Sequence, residues 1–274
     1  MRRTVARLAF AALLLFSGCA TLPEHYALPG STQTFTLEEI LPQVRNERVV
    51  FLGESHASEE DHLVQYEVIK YLHESGKQVA VALEMFPSDM QPLLDRWIGN
   101  SLSDDDFKRA YFGVWRVPYE YYGRIFEYAK KARIPLIGIN GDQTRIEDVA
   151  KKGLAALPAE FRKTIGVTSC EESPLYRKVI ELLGRKITHM AEFPFFCDAQ
   201  RLRDTIMAYN LTGILKRGDY TVIVLAGSVH AMKAAVPRIL SAYTGVTGMV
   251  LMSKDFIELV FSEPNGDIAD YMWY

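Results

Sequence analysis

An α/β fold, with a mainly parallel central sheet flanked by helices and carrying helical insertions, is what this 274-residue sequence predicts. Three observations lead there. Short runs rich in Val, Ile and Leu recur at strand length, apolar throughout rather than alternating, the pattern of strands buried on both faces. Longer segments with apolar residues at helical spacing separate them. The composition, 49% hydrophobic and 24% charged, supports a packed core and excludes disordered, collagen-like and disulfide-scaffold classes.

The chain opens with Arg2, Arg3 and Arg7 ahead of an apolar run over 8–16 that is too short to span a bilayer, which predicts an export signal. That run ends in Phe16-Ser17-Gly18-Cys19, which resembles the lipobox of bacterial lipoproteins, with Phe16 where Leu is usual. The resemblance implies a signal peptide over 1–18, an acylated Cys19 as the first mature residue, and attachment to the lipid bilayer without a transmembrane helix. Each buried methylene of such an anchor contributes about 0.8 kcal/mol. Ala20 after the cysteine resembles the outer-membrane sorting pattern, so the expected location is the bacterial cell envelope, lipid-anchored on the periplasmic side of the outer membrane. Loss of the three arginines would take the formal charge from −3 to −6. No net basic field exists to hold a phosphate backbone, so nucleic acid is not an expected partner.

Residues 19–34 are rich in Pro, Gly, Ser and Thr and lack apolar periodicity, so they are expected to form a tether. One domain is expected over 35–274. Its strands are predicted at 49–52, 79–83, 135–139, 221–226, 247–252 and 257–261. The helix predicted over 59–74 would turn Leu63, Tyr66, Val68, Ile69 and Leu72 to the sheet and Glu59, Glu60, Glu67 and Lys70 to water. A second helix is predicted over 119–132. Residues 88–112 and 158–217 carry helical patterns without a strand and form the insertions, with a long amphipathic helix over 193–216. Cys170 and Cys197 either bridge, if their Cα atoms come close enough, or remain two separate thiols. The apolar tail Tyr271-Met272-Trp273-Tyr274 either docks on the body or forms a partner surface.

The candidate chemistry lies in a motif used twice: Val49-Val50-Phe51-Leu52-Gly53-Glu54-Ser55-His56 and Val222-Ile223-Val224-Leu225-Ala226-Gly227-Ser228-Val229-His230. Each is an apolar strand followed by Gly-x-x-His. Residues past the carboxyl ends of parallel strands line the crevice of an open sheet, so both histidines are expected at one edge. A third strand ends in Glu84. His56, His230, Glu54 and Glu84 thus form a candidate set of imidazoles and carboxylates for a divalent cation such as Zn, Mn or Fe. Gly53 and Gly227 permit tight turns there, and Ser228 reads as scaffold. For each histidine alone, hydrogen bonding to the next helix is an equally ordinary role. His62 would reach the same crevice only if its helix starts late, and His25, His73 and His189 read as structural. The aromatic segment Trp115, Tyr119, Tyr121, Tyr122, Phe126 and Tyr128 either packs the core or offers a phenolate to haem iron, with Tyr119, Tyr121 and Tyr122 as candidate ligands. Walker loops, Gly-x-Gly-x-x-Gly, Cys-x-x-Cys and Gly-x-Ser-x-Gly motifs do not occur, which removes support for nucleotide binding and serine-hydrolase chemistry.

Taken in order, Phe51-Leu52-Gly53-Glu54-Ser55-His56, Leu83-Glu84-Met85-Phe86, Phe196-Cys197-Asp198-Ala199-Gln200 and Ala226-Gly227-Ser228-Val229-His230-Ala231-Met232-Lys233 resemble a ChaN-type lipoprotein of the haem-binding-uptake and Tiki superfamily. The resemblance implies an α/β fold with helical insertions and haem bound at an interface between two subunits in an iron-uptake setting, hence haem as cofactor and a homodimer as candidate assembly. For distant relatives it implies metal-dependent protease or esterase-like chemistry at the positions matching Gly53, His56, Glu84, Gly227 and His230. Val229 and Ala235-Val236-Pro237 depart from the family pattern and add side-chain volume beside His230. Two functional expectations follow: a membrane-anchored protein that binds haem or iron, and a metal-dependent hydrolase in which His56, His230 and Glu84 hold the cation and Glu54 is general base. A role as an envelope interaction protein is the remaining reading.

Overall fold

The structure, a computed structural model, describes residues 20–184, 192–260 and 268–274. Its sheet is built from β1 (Tyr26–Ala27), β2 (Thr34–Phe35), β3 (Val49–Glu54), β4 (Val79–Pro87), β5 (Leu136–Asn140), β6 (Thr221–Gly227), β7 (Met249–Ser253) and β8 (Tyr271–Trp273), in the order β2-β1-β8-β7-β3-β6-β4-β5. From β8 to β5 neighbouring strands run parallel, while β1 and β2 add an antiparallel edge. Every residue of β3 and β6 is buried, which is why these runs read as continuously apolar.

The helices are α1 (Leu37–Val44), α2 (Glu59–Glu74), α3 (Gln91–Ile98), α4 (Asp104–Val114), α5 (Tyr119–Ala132), α6 (Gln143–Lys152), α7 (Ala159–Ile165), α8 (Pro174–Gly184), α9 (Phe196–Arg217), α10 (Ser228–Ala231), α11 (Val236–Thr244) and α12 (Lys254–Val260). The predicted mainly parallel sheet flanked by helices is therefore present. Both helical insertions are also present, as α3 and α4 after β4, and as α7, α8 and α9 before β6. Ser58 caps α2 by accepting from the Asp61 amide at 3.1 Å, and three acidic residues occupy its first turn. Val64, Val68, Ile69 and Leu72 form its buried stripe, whereas Leu63 and Tyr66 are only partly covered.

Two expectations about the chain ends need correction. The strand expected at 257–261 is not formed: Lys254–Val260 is α12, opened by Ser253, whose hydroxyl accepts from the Asp255 amide at 3.2 Å. The tail fills that edge instead. β8 pairs with β7, and Trp273, only 1% exposed, donates its indole N–H to Asp61 at 2.9 Å. Within the segment read as a tether, Tyr26 and Ala27 are buried and pair with β8. Cys19, the signal segment and His189 lie outside the described residues.

Cys170 and Cys197 are disulfide-bonded, with Cα atoms 5.7 Å apart. The bridge ties the turn before α8 to the first turn of α9, where the Asp198 carboxylate also accepts from the Cys170 amide at 2.9 Å and the Ser169 hydroxyl at 3.1 Å. Replacing Cys197 with Ser should lower unfolding stability by about 3 kcal/mol in the chain-entropy account. Urea denaturation with and without reductant checks this; a wild-type midpoint unmoved by reduction would show that the bridge contributes nothing.

Candidate functional site

Strand register brings the motif residues to one edge. Glu54, the last residue of β3, pairs with Gly227, the last of β6, and Leu83 of β4 pairs with Leu225, so Glu84 follows one step on. The two ends are tied together where the Ser228 hydroxyl donates to the Glu54 carbonyl at 3.2 Å, which supports Ser228 as scaffold. Gly53 packs where a Cβ would lie 3.0 Å from Met252 and 3.1 Å from Ala231.

Glu54 is 3% exposed and lies against four side chains, three of which donate hydrogen bonds to it. His56 donates through Nδ1 at 2.8 Å and Tyr122 through its hydroxyl to Oε1; Gln65 donates to Oε2 at 2.7 Å, with His62 Nδ1 at 3.5 Å. This network fixes the His56 ring and leaves its Nε2 edge over Gly227, where a Cβ would lie 3.0 Å from Cε1 and 3.3 Å from Nε2. The loop carrying His56 is held by Asp61, which accepts from the Ser55 amide at 2.7 Å. Burial raises the Asp61 carboxyl above its usual range, against the hydrogen bonds of Ser55 and Trp273.

A second carboxylate–imidazole pair faces the first. Asp204 of α9, fully buried, accepts from His230 Nδ1 at 2.5 Å. His230 Nε2 then lies 3.6 Å from Glu84 Oε1, while Arg203 lies 3.8 Å from the same oxygen and the Gly227 amide donates to Oε2 at 2.7 Å. Burial opposes ionisation of Glu84, yet the charges of His230, His56 and Arg203 outweigh it and hold the carboxyl below its usual range. For His230, burial disfavours the charged ring, and Glu84 and Asp204 together reverse that and raise its pKa. His56 is raised in the same way: burial lowers it, but the Glu54 hydrogen bond and the charges of Glu84 and Glu54 prevail.

The structure thus places His56, Glu54, Glu84, His230, Gly53, Gly227 and Ser228 at one edge. Among the described residues no group of three or more His, Cys, Asp and Glu side chains is arranged to hold a metal ion. The reason is local: both Nδ1 atoms face carboxylates and both Glu54 oxygens are taken. The tyrosines separate. Tyr122 is fully buried with its phenol on Glu54, Tyr119 packs its ring against Phe107, Tyr111 and Phe126, and Tyr121 is half-buried beside His62 and Arg124. The His73 ring and the Tyr128 hydroxyl share a hydrogen bond at 2.9 Å, and the His25 ring lies tilted against Tyr274 at 5.8 Å.

His62 was the least expected contributor. It is 3% exposed, with Nε2 3.1 Å from the His56 carbonyl oxygen and Nδ1 3.1 Å from Gln65 Oε1. Gln65, Arg203 and Asp204 carry no sequence signal of their own. The hint in α9 was a stripe of polar residues, Arg201, Asp204 and Thr205, at helical spacing on its otherwise apolar buried face.

A family model described as haem-binding uptake, Tiki superfamily, ChaN matches residues 40–240. The chain belongs to this family. Among solved structures, cofacial haem binding to ChaN of Campylobacter jejuni aligns at a TM-score of 0.70 over 92% of this chain and 98% of that one, at 17% identity. A mutant of the erythromycin esterase EreC in its open conformation aligns at 0.50, over 83% and 76% of the two chains, at 14% identity. At these identities both show the fold of this ChaN-family chain and no more. A curated relative, Protein RETICULATA-RELATED 5, chloroplastic, of Arabidopsis thaliana, is 21% identical over 268 aligned residues, covering 86% of this chain; the chain spans about a third, 35%, of that relative's length.

Gly227 gives this ChaN-family site a simple test. A methyl group at Gly227→Ala would press on the His56 ring, so any ligand held by His56 should bind about tenfold more weakly. Far-UV circular dichroism should stay unchanged; unaltered binding would place the ligand away from His56.

Proposed function

We propose that this chain binds haem at the carboxyl edge of its sheet, with His56 Nε2 as the iron ligand, and that it serves haem or iron uptake while lipid-anchored through acylated Cys19 at the outer membrane. The observation that carries the reading is His56 itself. Its side chain is 39% exposed and its Nδ1–H is held by a buried carboxylate, which keeps the lone pair on Nε2, at the ring edge beside Gly227, and raises its basicity. The donor set fits haem, since iron accepts imidazole nitrogen. A flat apolar ligand also needs a wall. The Trp115 ring meets the His56 ring edge-on at 4.8 Å, and Phe112 and Val114, just before it, are exposed at 52% and 39%. When bound, the group would supply a redox-active iron; the chain's own contribution is to orient one imidazole and cover one face. A second subunit on the exposed Phe112 and Val114 would cover the other, in keeping with the homodimer expected from the family. Among the described residues no helix is long and apolar enough to cross a membrane, so attachment rests on the acylated Cys19 expectation.

Haem titration followed by visible absorption tests this. A saturable Soret shift near one haem per chain is expected, falling about a hundredfold in affinity for His56→Ala, the upper end for loss of a metal-binding group, while Tyr121→Phe should bind as wild type. If Tyr121→Phe loses the shift and His56→Ala keeps it, the ligand is the phenol.

One observation favours a second reading, a hydrolase of peptidase or esterase type. The Asp204–His230 pair beside Glu84 is the arrangement of an oriented general base. Release of p-nitrophenol from p-nitrophenyl acetate by the wild type and not by His230→Ala would support it.

A further inference from the structure

Residues 20–27 enter the fold from the side of the sheet that carries the site. Tyr26 of β1 pairs with Trp273, the last residue of β8, and Ala27 pairs with Met272, so the antiparallel β1 begins at the carboxyl edge of the parallel strands and runs away from it. At that edge the His25 carbonyl oxygen accepts from the Tyr274 amide at 3.1 Å. Further back, Ala20 lines a cavity of about 270 Å³ together with Glu59, His62, Glu120, Tyr121 and Arg124. Glu59 and Glu120 lie in the first turns of α2 and α5. Both helices start at the carboxyl edge, since α2 follows β3 and α5 leads into the start of β5, strands that run parallel to their neighbours. His62, in the wall of this cavity, places Nε2 3.1 Å from the His56 carbonyl oxygen. Ala20 and His56 therefore share one edge, with His62 reaching from the cavity to the His56 loop.

The chain has little slack here. Leu22 packs against the core, Pro23 is buried and β1 begins at Tyr26, so the body holds the segment that was expected to be a free tether. Cys19 is the next residue back from Ala20, one peptide unit away and about 3.8 Å between Cα atoms. A flexible coil over 19–34 would instead span roughly 22 Å and let the body turn freely beneath its anchor. With acyl chains on Cys19 sunk in the bilayer, the headgroups must meet whatever surrounds Ala20. That surface offers Tyr121, half-buried, and Arg124, exposed, an aromatic ring and a cation of the kind that sits at headgroup level. Glu59 and Glu120 face the same cavity, so the orientation comes from the short attachment and not from attraction to anionic lipid.

We infer that the surface around Ala20, Tyr121 and Arg124 rests on phospholipid headgroups, so that the carboxyl edge of the sheet is the membrane-facing side of the molecule. The His56 crevice then opens at the membrane surface, where a flat apolar ligand that partitions into lipid is concentrated. The inference rests on the anchoring part of the proposed function, acylation of Cys19, and does not depend on which atom holds a ligand at His56.

Fluorescence quenching on the full acylated chain, reconstituted into vesicles of phosphatidylethanolamine and phosphatidylglycerol that carry nitroxide-labelled headgroups, tests it. A fluorophore is placed on Glu120→Cys, beside Ala20, or on Lys216→Cys, an exposed position at the end of α9 that leads into the opposite edge of the sheet. Cys170 and Cys197 are bridged and Cys19 is blocked by its acyl group, so the new thiol alone reacts. Quenching several-fold stronger at position 120 than at 216 is expected. Equal quenching, or stronger quenching at 216, would overturn the inference while leaving the anchor in place. Mass spectrometry of the Cys19 peptide separates the two failures: absence of acyl chains there would overturn the anchoring reading and this inference with it. Inserting about 20 Gly and Ser residues between Ala20 and Thr21, a coil of roughly 25 Å, should bring quenching at 120 down toward that at 216. A preference unchanged by the insertion would overturn the short attachment as its cause.

Discussion

Glu84→Gln should lower unfolding stability by about 3–5 kcal/mol near pH 6, the range for removing one partner of a buried ion pair. The amide can still accept from the Gly227 N–H, so the loss comes from charge: Arg203 and His230 are left with no carboxylate at 3.8 and 3.6 Å. The pH dependence identifies the cause. Glu84 is held below its usual 4.5, so its contribution is present above that value and is lost as pH falls through the lower folded value. His230 is held above its usual 6.5, so its contribution is present below that value and is lost as pH rises through the higher folded one. Wild type and variant should therefore differ most between about pH 4.5 and 6.5; the two curves should converge at the acid end, where Glu84 is neutral, and only narrow at the alkaline end, where Arg203 still faces the ionised Glu84. Urea midpoints across that range, with the His230 titration followed by NMR, check both arms. A constant offset at every pH, with His230 titrating as in wild type, would mean that Glu84 acts by packing alone.

Legibility of this fold followed burial. β3, β4 and β6 were readable because a strand covered on both faces leaves an unbroken apolar run, and the repeated Gly-x-x-His placed His56 and His230 at their ends. The edge was not readable. β8 has three residues and β1 two, and what holds them is pairing with each other, the pairing of β8 with β7, and the Trp273–Asp61 hydrogen bond, which joins residues 212 positions apart. Residues 254–260 misled for a related reason: Phe256 and Ile257 look strand-like in isolation, while Ser253 and Asp255 open a helix. Within the site, the residues at strand ends were visible and their partners were not. Asp204, Gln65 and His62 sit in helices, where a buried polar side chain interrupts the apolar stripe without declaring what it touches. Tyr122 shows the opposite limit. Its segment signalled aromatic density, and only the fold shows that its hydroxyl serves Glu54 rather than an open pocket.

Glu54→Ala carries a comparably large expected effect and a different signature. Four side chains converge on this carboxylate, and truncation leaves the His56, Tyr122 and Gln65 donors facing a void at 3% exposure. Each stranded donor costs on the order of 1–3 kcal/mol, and relaxation or entry of water recovers part, so about 3–5 kcal/mol is expected in total. Tyr122→Phe removes one donor together with its need for an acceptor and should cost only about 1 kcal/mol. The double variant should then cost less than the sum of the two, because the phenol no longer has an acceptor to miss. Ligand binding separates position from stability: Tyr122→Phe leaves His56 bonded to Glu54 and should keep haem affinity within a few-fold, whereas Glu54→Ala frees the ring and should lose about 10- to 100-fold. If Glu54→Ala retained full affinity, the carboxylate would be a structural hub only, and His56 would find its orientation from Trp115 and Gly227 alone.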